Sequence, residues 1–189
     1  MMSKLTALIG LARSGKSTFS RGWEEEKDPD GLTRLVLNCD QVRLALHGHR
    51  WIGKAEPMVS ATYSVMINAL ILNPKLHILL DDTHTTVSSV RNVLNLDPDA
   101  EFIYIPCPVE VARKRAIDTN QSDLIPVIDR MYDNLQKLCW YSRHHWKCDI
   151  GHRDDYDDFT VNVENIKLSI EKIRSEVKRV KEYSDRAVK

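Results

Sequence analysis

The 189-residue sequence lacks the features that mark membrane-spanning, secreted and disulfide-rich proteins. Its apolar runs fall well short of the roughly 18–20 residues that a membrane helix needs. The first residues, MMSKLTALIG, do not have the basic region and long apolar core of a signal peptide. Its 4 cysteines are too scattered for a disulfide framework, so we expect reduced thiols. These absences predict a cytoplasmic protein that has no membrane partner, in the host cytoplasm if the source is a virus.

The sequence also has no excess of charge of one sign. Lysine and arginine together number 27, aspartate and glutamate also number 27, and the formal net charge is zero. The basic balance of proteins that bind nucleic acid along its length is therefore absent. Any contact with nucleic acid is expected to involve a local patch or a strand end.

Short apolar segments alternate with segments of helical periodicity. The apolar segments are KLTALI, LTRLVLN, LHILL and EFIYI, and the predicted helices cover residues 17–27, 40–47, 57–72, 87–94, 108–117 and 124–138. This alternation predicts an α/β fold, with a parallel sheet flanked by helices. Ligands of such sheets bind beyond the carboxyl ends of the strands, so the polar residues after each strand form the candidate site.

The segment GLARSGKST follows the first predicted strand and matches the phosphate-loop pattern G-x-x-x-x-G-K-S/T. In such a loop, glycines permit a tight turn and backbone N–H groups face the phosphates. The lysine reaches the β- and γ-phosphates, and the serine hydroxyl coordinates Mg²⁺. The segment predicts a P-loop site for ATP and Mg²⁺. The residues assigned to it are Gly10, Arg13, Ser14, Gly15, Lys16, Ser17 and Thr18.

The segment NCDQVR follows the second predicted strand and places Asp40 three residues before Arg43. Residues three apart share one helix face, so the two side chains would project together. A kinase needs such a pair, because a carboxylate accepts the proton of the acceptor hydroxyl and a guanidinium holds an anionic group. The alternative is that Asp40 caps the helix and Arg43 is an ordinary surface residue.

Asp81 and Asp82 end the third predicted strand. We expect Asp82 to serve Mg²⁺, a cation that prefers oxygen ligands, although the pattern alone does not separate it from Asp81. The other aspartate would cap the next helix. Thr83 and His84 are candidate acceptor-binding residues, and His84 fits an ordinary surface position equally well.

Arg113 and Arg115 lie on the predicted helix that follows the fourth strand. A mobile arginine can neutralise the charge that builds up on a transferring phosphoryl group. We expect a lid over about residues 109–126 that closes over ATP, with Arg115 as the catalytic arginine and Arg113 as a second nucleotide contact. A solvated basic helix face is the alternative.

The order of motifs GLARSGKST, NCDQVR, LLDDTH, VARKR and IPVIDRMYDNL resembles the kinase domain of the phage-type 5′-hydroxyl polynucleotide kinases, over roughly residues 4 to 140. The resemblance implies a P-loop kinase that transfers the γ-phosphate of ATP to the 5′-hydroxyl end of DNA or RNA. It implies that Asp40 activates this hydroxyl, that Arg43 grips the phosphate next to the terminal nucleoside, and that Arg115 faces ATP. The place where the family carries a second lid arginine is occupied by Thr119.

Two other functions fit the same motifs. One is a kinase for a small metabolite, a nucleoside or the hydroxymethyl group of a modified base. The other is an ATP-binding regulatory module that recruits a partner. Asp40 separates the module from the kinases, because a module of this kind has no need of a general base.

The last part of the chain carries a narrow apolar seam with spacings of three and four residues. Its members are Val163, Ile166, Ile170, Ile173, Val177 and Val180. We expect the kinase domain to cover residues 1–158 and a C-terminal helix to cover residues 159–189. This helix would pack on the domain or form a homo-oligomer.

Two further clusters carry side chains that suit binding. Cys139, His144, His145, Cys148 and His152 do not have the spacing of a common four-ligand zinc site, so an aromatic helix packed on the sheet is expected there. A second cluster follows the Asp40 helix and could contact a nucleic-acid acceptor by stacking and phosphate binding. Its members are His47, His49, Arg50 and Trp51.

Overall fold

The computed structural model describes residues 3–142 and 161–187, and within them the chain has four β-strands and seven α-helices. The strands are β1 (Lys4–Ile9), β2 (Thr33–Leu37), β3 (Leu76–Leu80) and β4 (Glu101–Tyr104). The helices are α1 (Lys16–Glu25), α2 (Cys39–His47), α3 (Glu56–Leu70), α4 (Val87–Leu96), α5 (Val109–Asp118), α6 (Ile125–Tyr141) and α7 (Val163–Ala187). The four predicted strands, the six helices predicted within residues 17–138 and the C-terminal helix are present, with their ends displaced by a few residues at most. The aromatic helix predicted over the cysteine–histidine cluster lies largely outside the described residues.

The sheet has the strand order β2-β3-β1-β4. β3 pairs in parallel with β1, with Leu79 opposite Thr6, and in parallel with β2, with Ile78 opposite Leu35. The predicted parallel α/β sheet is therefore confirmed. Because β2 and β3 are parallel neighbours, the Asp40 segment and the Asp81–Asp82 pair that follow them begin at the same edge of the sheet.

The chain divides into two compact units. The first comprises Met1–Leu8, Lys16–Asp82 and Ala100–Ile103, and it contains α1, α2 and α3. The second comprises Ile9–Gly15, Thr83–Asp99 and Tyr104–Lys189, and it contains α4 to α7.

The first unit contains a buried network of hydrogen-bonded polar side chains. The Thr6 hydroxyl lies 2.9 Å from His77 Nε2, and His77 Nδ1 lies 2.6 Å from Asp28 Oδ2. Arg34 Nε donates to the same carboxylate at 3.3 Å. Burial opposes ionisation of Asp28, but the hydrogen bonds from His77, the Asp30 backbone and Arg34 together lower its pKa to about 2. These polar groups are satisfied by one another, as buried polar groups must be.

In the second unit, α7 packs against α4 and α6. Four of the six seam residues, Ile166, Ile170, Ile173 and Val177, are at most 5% exposed, whereas Val163 and Val180 are 44% and 62% exposed. Arg91 on α4 and Tyr141 on α6 both bond to Glu176 on α7, at 3.0 Å and 2.7 Å. The middle of the seam is thus buried within its own chain, and homo-oligomer formation stays a prediction.

Two further expectations concern the cysteine–histidine cluster and membrane-spanning helices. Four members of the cysteine–histidine cluster lie outside residues 3–142 and 161–187, namely His144, His145, Cys148 and His152. Cys139 is buried near the end of α6, and burial raises the pKa of its thiol to about 11. Across the described ranges, the helices are all too short or too polar to cross a membrane.

Candidate active site

The phosphate loop has two residues with positive φ angles, of which one is glycine and the other is arginine. Arg13 and Gly15 have positive φ angles of 65° and 107°, in the region where glycine is favoured. At Gly10, an added Cβ would lie 3.0 Å from both the carbonyl oxygen of Ile105 and the hydroxyl of Ser14, so the close backbone approach favours glycine. Helix α1 begins with Lys16 directly after the loop, which provides the helix N-terminus that an anion site uses.

Within the second unit, other segments hold the loop in place. The Gly10 N–H donates to the carbonyl oxygen of Thr83 at 3.0 Å. The Ala12 N–H donates to the sulfur of Met131 at 3.4 Å. Met131 belongs to the IPVIDRMY segment, and the phosphate-loop motif alone does not predict that this segment contacts the loop.

Arg115 lies against the same loop. Its Nη1 donates to the carbonyl oxygens of Arg13 and Ser14, at 3.1 Å each. The arginine that the sequence assigns to the lid therefore touches the segment expected to hold phosphates. Its catalytic role stays a prediction.

Two other predicted nucleotide contacts have protein partners of their own. The Arg13 guanidinium donates to the hydroxyl of Thr119, and this hydroxyl donates to the Arg115 carbonyl oxygen at 2.7 Å. Arg113 Nε donates to Asp129 at 2.7 Å, and this hydrogen bond raises the pKa of Arg113. Arg13 is thus held at the end of α5, and Arg113 is paired with α6.

The loop residues fit a bound phosphate group. The Ser14 hydroxyl oxygen is buried and has no hydrogen-bond partner in the part of the chain that the structure describes. Lys16 is 8% exposed, while Ser17 and Thr18 are exposed at the first turn of α1. A buried donor without a partner is costly, and a phosphate oxygen at the loop would satisfy it.

In the first unit, the helix cap at the end of β2 is Asn38 and not Asp40. The Asn38 side chain accepts the backbone N–H groups of Asp40 and Gln41, at 2.6 Å and 3.4 Å. The alternative in which Asp40 caps α2 is therefore wrong, because another side chain already fills that role. The Asp40 carboxylate is 67% exposed, and its Oδ1 accepts a hydrogen bond from Arg43.

Glu56 at the start of α3 completes this cluster. Arg43 donates from Nε and Nη2 to the two Glu56 oxygens, at 2.9 Å and 2.8 Å. Hydrogen bonding to Glu56 raises the pKa of Arg43, and the same hydrogen bond lowers the pKa of Glu56. The fork-to-fork geometry fixes the guanidinium plane next to Asp40. Sequence reasoning missed Glu56, because a separation of 13 residues across a turn follows no local spacing rule.

The two aspartates after β3 differ in their surroundings. Asp82 accepts hydrogen bonds from the Tyr63 hydroxyl and, at 3.3 Å, from the Cys39 N–H. Asp81 is 5% exposed, and its Oδ1 is buried without a hydrogen-bond partner among residues 3–142 and 161–187. A buried carboxylate oxygen in this state suits a cation, so Asp81 is a candidate metal ligand beside Asp82, and a metal role for either stays a prediction.

The cap of the next helix also differs from the expectation. Thr86 caps α4, since its hydroxyl accepts the Ser89 N–H at 3.1 Å and the Ser89 side chain bonds back to Thr86. The expectation that Asp81 or Asp82 caps α4 is therefore wrong. Both aspartates are left for other roles.

Tyr63 and Cys39 surround Asp82 as protonated groups at neutral pH. Burial, together with the nearby Asp82 charge, raises the pKa of Cys39 to about 12 and raises that of Tyr63 further above its ordinary range. Tyr63 therefore donates to Asp82 and fixes its orientation. The sequence carried no signal for this contact, because Tyr63 and Asp82 lie 19 residues apart on different elements.

Thr83 and His84 open the second unit. The Thr83 carbonyl oxygen accepts the Gly10 N–H, and His84 has a positive φ of 40°. Their binding of an acceptor stays a prediction.

The chain is similar to a seryl-tRNA kinase and to chains of an RNA repair complex. The L-seryl-tRNA(Sec) kinase of Methanococcus maripaludis is 26% identical over 144 residues, covering 72% of this chain and 55% of the relative. A chain of the Pnkp1/Rnl/Hen1 RNA repair complex matches with a TM-score of 0.60 and 23% identity, covering 72% of this chain and 45% of that one. A chain in a second structure of the Pnkp1/Rnl/Hen1 complex matches with a TM-score of 0.52 and 26% identity, covering 60% of this chain and 39% of that one.

The chain has an α/β P-loop kinase fold. No family model matches it. The chain spans about half the length of the curated relative, as the 55% coverage shows.

Proposed function

We propose that this chain is a phosphotransferase that moves the γ-phosphate of ATP to a hydroxyl group, and that the acceptor is the 5′-hydroxyl end of DNA or RNA. The observation that carries the proposal is the Asp40–Arg43–Glu56 cluster at the end of β2 in a chain with a phosphate loop. Asp40 is exposed and does not cap its helix, so its carboxylate can accept the proton of an incoming hydroxyl.

Each candidate residue has one task in the proposed reaction. Lys16 and the loop N–H groups hold the phosphates of ATP. Ser17 and Asp81 would hold Mg²⁺, which when bound neutralises charge on the phosphate oxygens. Asp40 accepts the hydroxyl proton, and Arg43 orients an anionic group of the acceptor. Arg115 stabilises the charge that develops on the transferred group.

The similar proteins support RNA as the acceptor class. The curated relative is named for action on L-seryl-tRNA(Sec), and the structural neighbours belong to an RNA repair complex. A second candidate acceptor is therefore the hydroxyl of a seryl group carried by tRNA, favoured by the 26% identity over 72% of this chain. Either acceptor would bring a nucleic-acid strand end to Asp40.

A transfer assay with labelled γ-phosphate tests the proposal. The acceptors are 5′-hydroxyl DNA, 5′-hydroxyl RNA, seryl-tRNA, free nucleosides and small alcohols. We expect transfer to 5′-hydroxyl strands, and a free nucleoside used as well as a strand would contradict a polynucleotide acceptor. An ATP-binding module would show no transfer to any of them.

The variant Asp40→Asn tests the mechanism in the same assay. Without a general base, the transfer rate should fall roughly 10²- to 10⁴-fold while ATP binding is retained. Asp133→Asn is the matched control, because Asp133 is an exposed aspartate on α6 in the other unit. Transfer at the wild-type rate by Asp40→Asn would remove this mechanism.

A further inference from the structure

The segment between α2 and α3 concentrates positive charge in a chain with no net charge. Between Asp40 and Glu56 the sequence has no acidic residue, and it carries Arg43, Arg50 and Lys54 together with two histidines. Gly48 ends α2 in the left-handed conformation, with φ of 71°, so the residues after it leave the helix axis. His49, Arg50, Trp51 and Lys54 are all exposed.

Trp51 stands out in this segment because its large apolar ring lies outside the core. It is 63% exposed, whereas Trp23 in the same unit is 8% exposed. The Arg43 guanidinium lies 5.0 Å from the centroid of the Trp51 ring, which is a cation–π distance. Since Glu56 holds Arg43 through two hydrogen bonds, the cation beside the ring is fixed.

Arg43 connects this ring directly to the proposed general base. The same guanidinium donates to Asp40 and lies beside Trp51. A strand whose terminal hydroxyl meets Asp40 would therefore have a base within reach of the indole. Exposed aromatic rings among basic residues stack nucleobases with little regard to sequence, because every base has a π-face.

We propose that Trp51 is a stacking platform for a nucleobase at the 5′ end of a single-stranded acceptor. This inference rests on the proposed function and names the feature that would distinguish a polynucleotide acceptor from a small alcohol. The surrounding positive charge suits the phosphate backbone of that strand. The platform selects for a base near the reacting hydroxyl and does not read which base it is.

The test compares Trp51→Ala with Trp51→Phe, which keeps an aromatic ring. Binding of a single-stranded 5′-hydroxyl oligonucleotide with a 3′ fluorescent label is measured by anisotropy without ATP, and KM and kcat are measured for its phosphorylation. Loss of one stacked base should raise Kd and KM of Trp51→Ala roughly 10- to 100-fold. Trp51→Phe should stay within a few-fold of the wild type.

Two controls separate stacking from a general loss of structure. Val65→Ala removes an exposed apolar side chain on α3, 69% exposed in the wild type, and should change neither constant. The KM for ATP should be unchanged in Trp51→Ala. An oligonucleotide that is abasic at its first or second nucleotide should bind the wild type more weakly than the intact strand does. On the abasic strand that lacks the stacked base, Trp51→Ala should bind no more weakly than the wild type.

The outcomes distinguish this inference from the function on which it rests. If the wild type phosphorylates 5′-hydroxyl strands and Trp51→Ala leaves Kd and KM unchanged, the platform alone is wrong. If Trp51→Phe is as impaired as Trp51→Ala, stacking is also the wrong account. If the wild type neither binds nor phosphorylates any 5′-hydroxyl strand, both the proposed function and the platform are wrong.

Discussion

Arg43 holds both carboxylate oxygens of Glu56, with Nε 2.9 Å from Oε1 and Nη2 2.8 Å from Oε2. Its remaining nitrogen, Nη1, donates to Asp40. A guanidinium has five N–H donors in a rigid plane, so this arrangement fixes the plane and still leaves donors for a ligand. Under the proposed function, in which Arg43 binds the acceptor, Glu56 is the residue that orients Arg43.

The variant Glu56→Gln should weaken acceptor binding without affecting ATP. Removing the negative charge loosens Arg43, so we expect KM for the acceptor strand to rise roughly ten-fold, which corresponds to about 1.4 kcal/mol. Steady-state kinetics with varied acceptor and then varied ATP measure the two constants. Glu25→Gln, an exposed position at the end of α1, is the control. An unchanged acceptor KM would show that Arg43 does not need Glu56 for this role.

The variant Arg115→Ala should slow transfer itself. Arg115 touches the loop carbonyl oxygens of Arg13 and Ser14, where a developing charge on phosphate would be close to it. Loss of one such stabilising group costs roughly 10²- to 10³-fold in kcat. Single-turnover transfer rates measure this, with Lys114→Ala as control because Lys114 is the exposed neighbour on the same helix. Equal losses in both variants would point to general electrostatics instead of a specific arginine.

The variant Asp28→Asn should reduce stability in a pH-dependent manner. The pKa of Asp28 lies at about 2 in the folded protein, below its ordinary value of 3.8, so its ionised form stabilises the fold. This contribution, about 2 kcal/mol, is fully present above roughly pH 4 and is lost as pH falls toward 2. Denaturant unfolding of the wild type and the variant between pH 2 and pH 7 should show the difference shrinking over that window.

Asp30→Asn is the control for that series, because the Asp30 side chain is 64% exposed and pairs with Lys4 only at 3.7 Å. It should change stability by no more than about 0.5 kcal/mol at any pH. A constant difference between wild type and Asp28→Asn from pH 7 down to pH 2 would contradict the low pKa.

Substitutions along the α7 seam should have unequal effects on stability. Ile173 is fully buried, so Ile173→Ala should lower the free energy of unfolding by roughly 2–5 kcal/mol. Val180 is 62% exposed, so Val180→Ala should change the free energy of unfolding little. Urea unfolding measures both. Sedimentation of the wild type then asks whether the exposed ends of the seam associate, and a concentration-dependent dimer that Val180→Glu abolishes would support the predicted homo-oligomer.

The strands, helices and phosphate loop could be predicted because their signals are local. Gly10, Gly15 and Lys16 lie within seven consecutive residues, and β3 is a short apolar run with Asp81 directly after it. The i and i+3 spacing of Asp40 and Arg43 also predicted their contact, because helix geometry determines it.

Predictions about caps were less successful for a physical reason. Asn38 caps α2 and Thr86 caps α4, whereas the sequence suggested aspartates as caps for these helices. Asn, Asp, Ser and Thr are nearly equal as caps, so the choice depends on which residue reaches the extended backbone conformation just before the helix. A shift of one or two residues in the helix boundary changes which residue occupies the cap position. The periodicity of apolar residues does not locate a boundary to within one or two residues.

The sequence by itself determined the parallel α/β order, the phosphate loop and the pairing of Asp40 with Arg43, since each depends on backbone propensity or on neighbours within one helical turn. Only the tertiary structure decided that Glu56 fixes Arg43, that Tyr63 orients Asp82, and that Thr119 holds Arg13. It also buries an oxygen of Asp81 without a hydrogen-bond partner among the described residues. These contacts join residues far apart in the chain, and packing of whole elements brings them together. No spacing rule in the sequence encodes that packing.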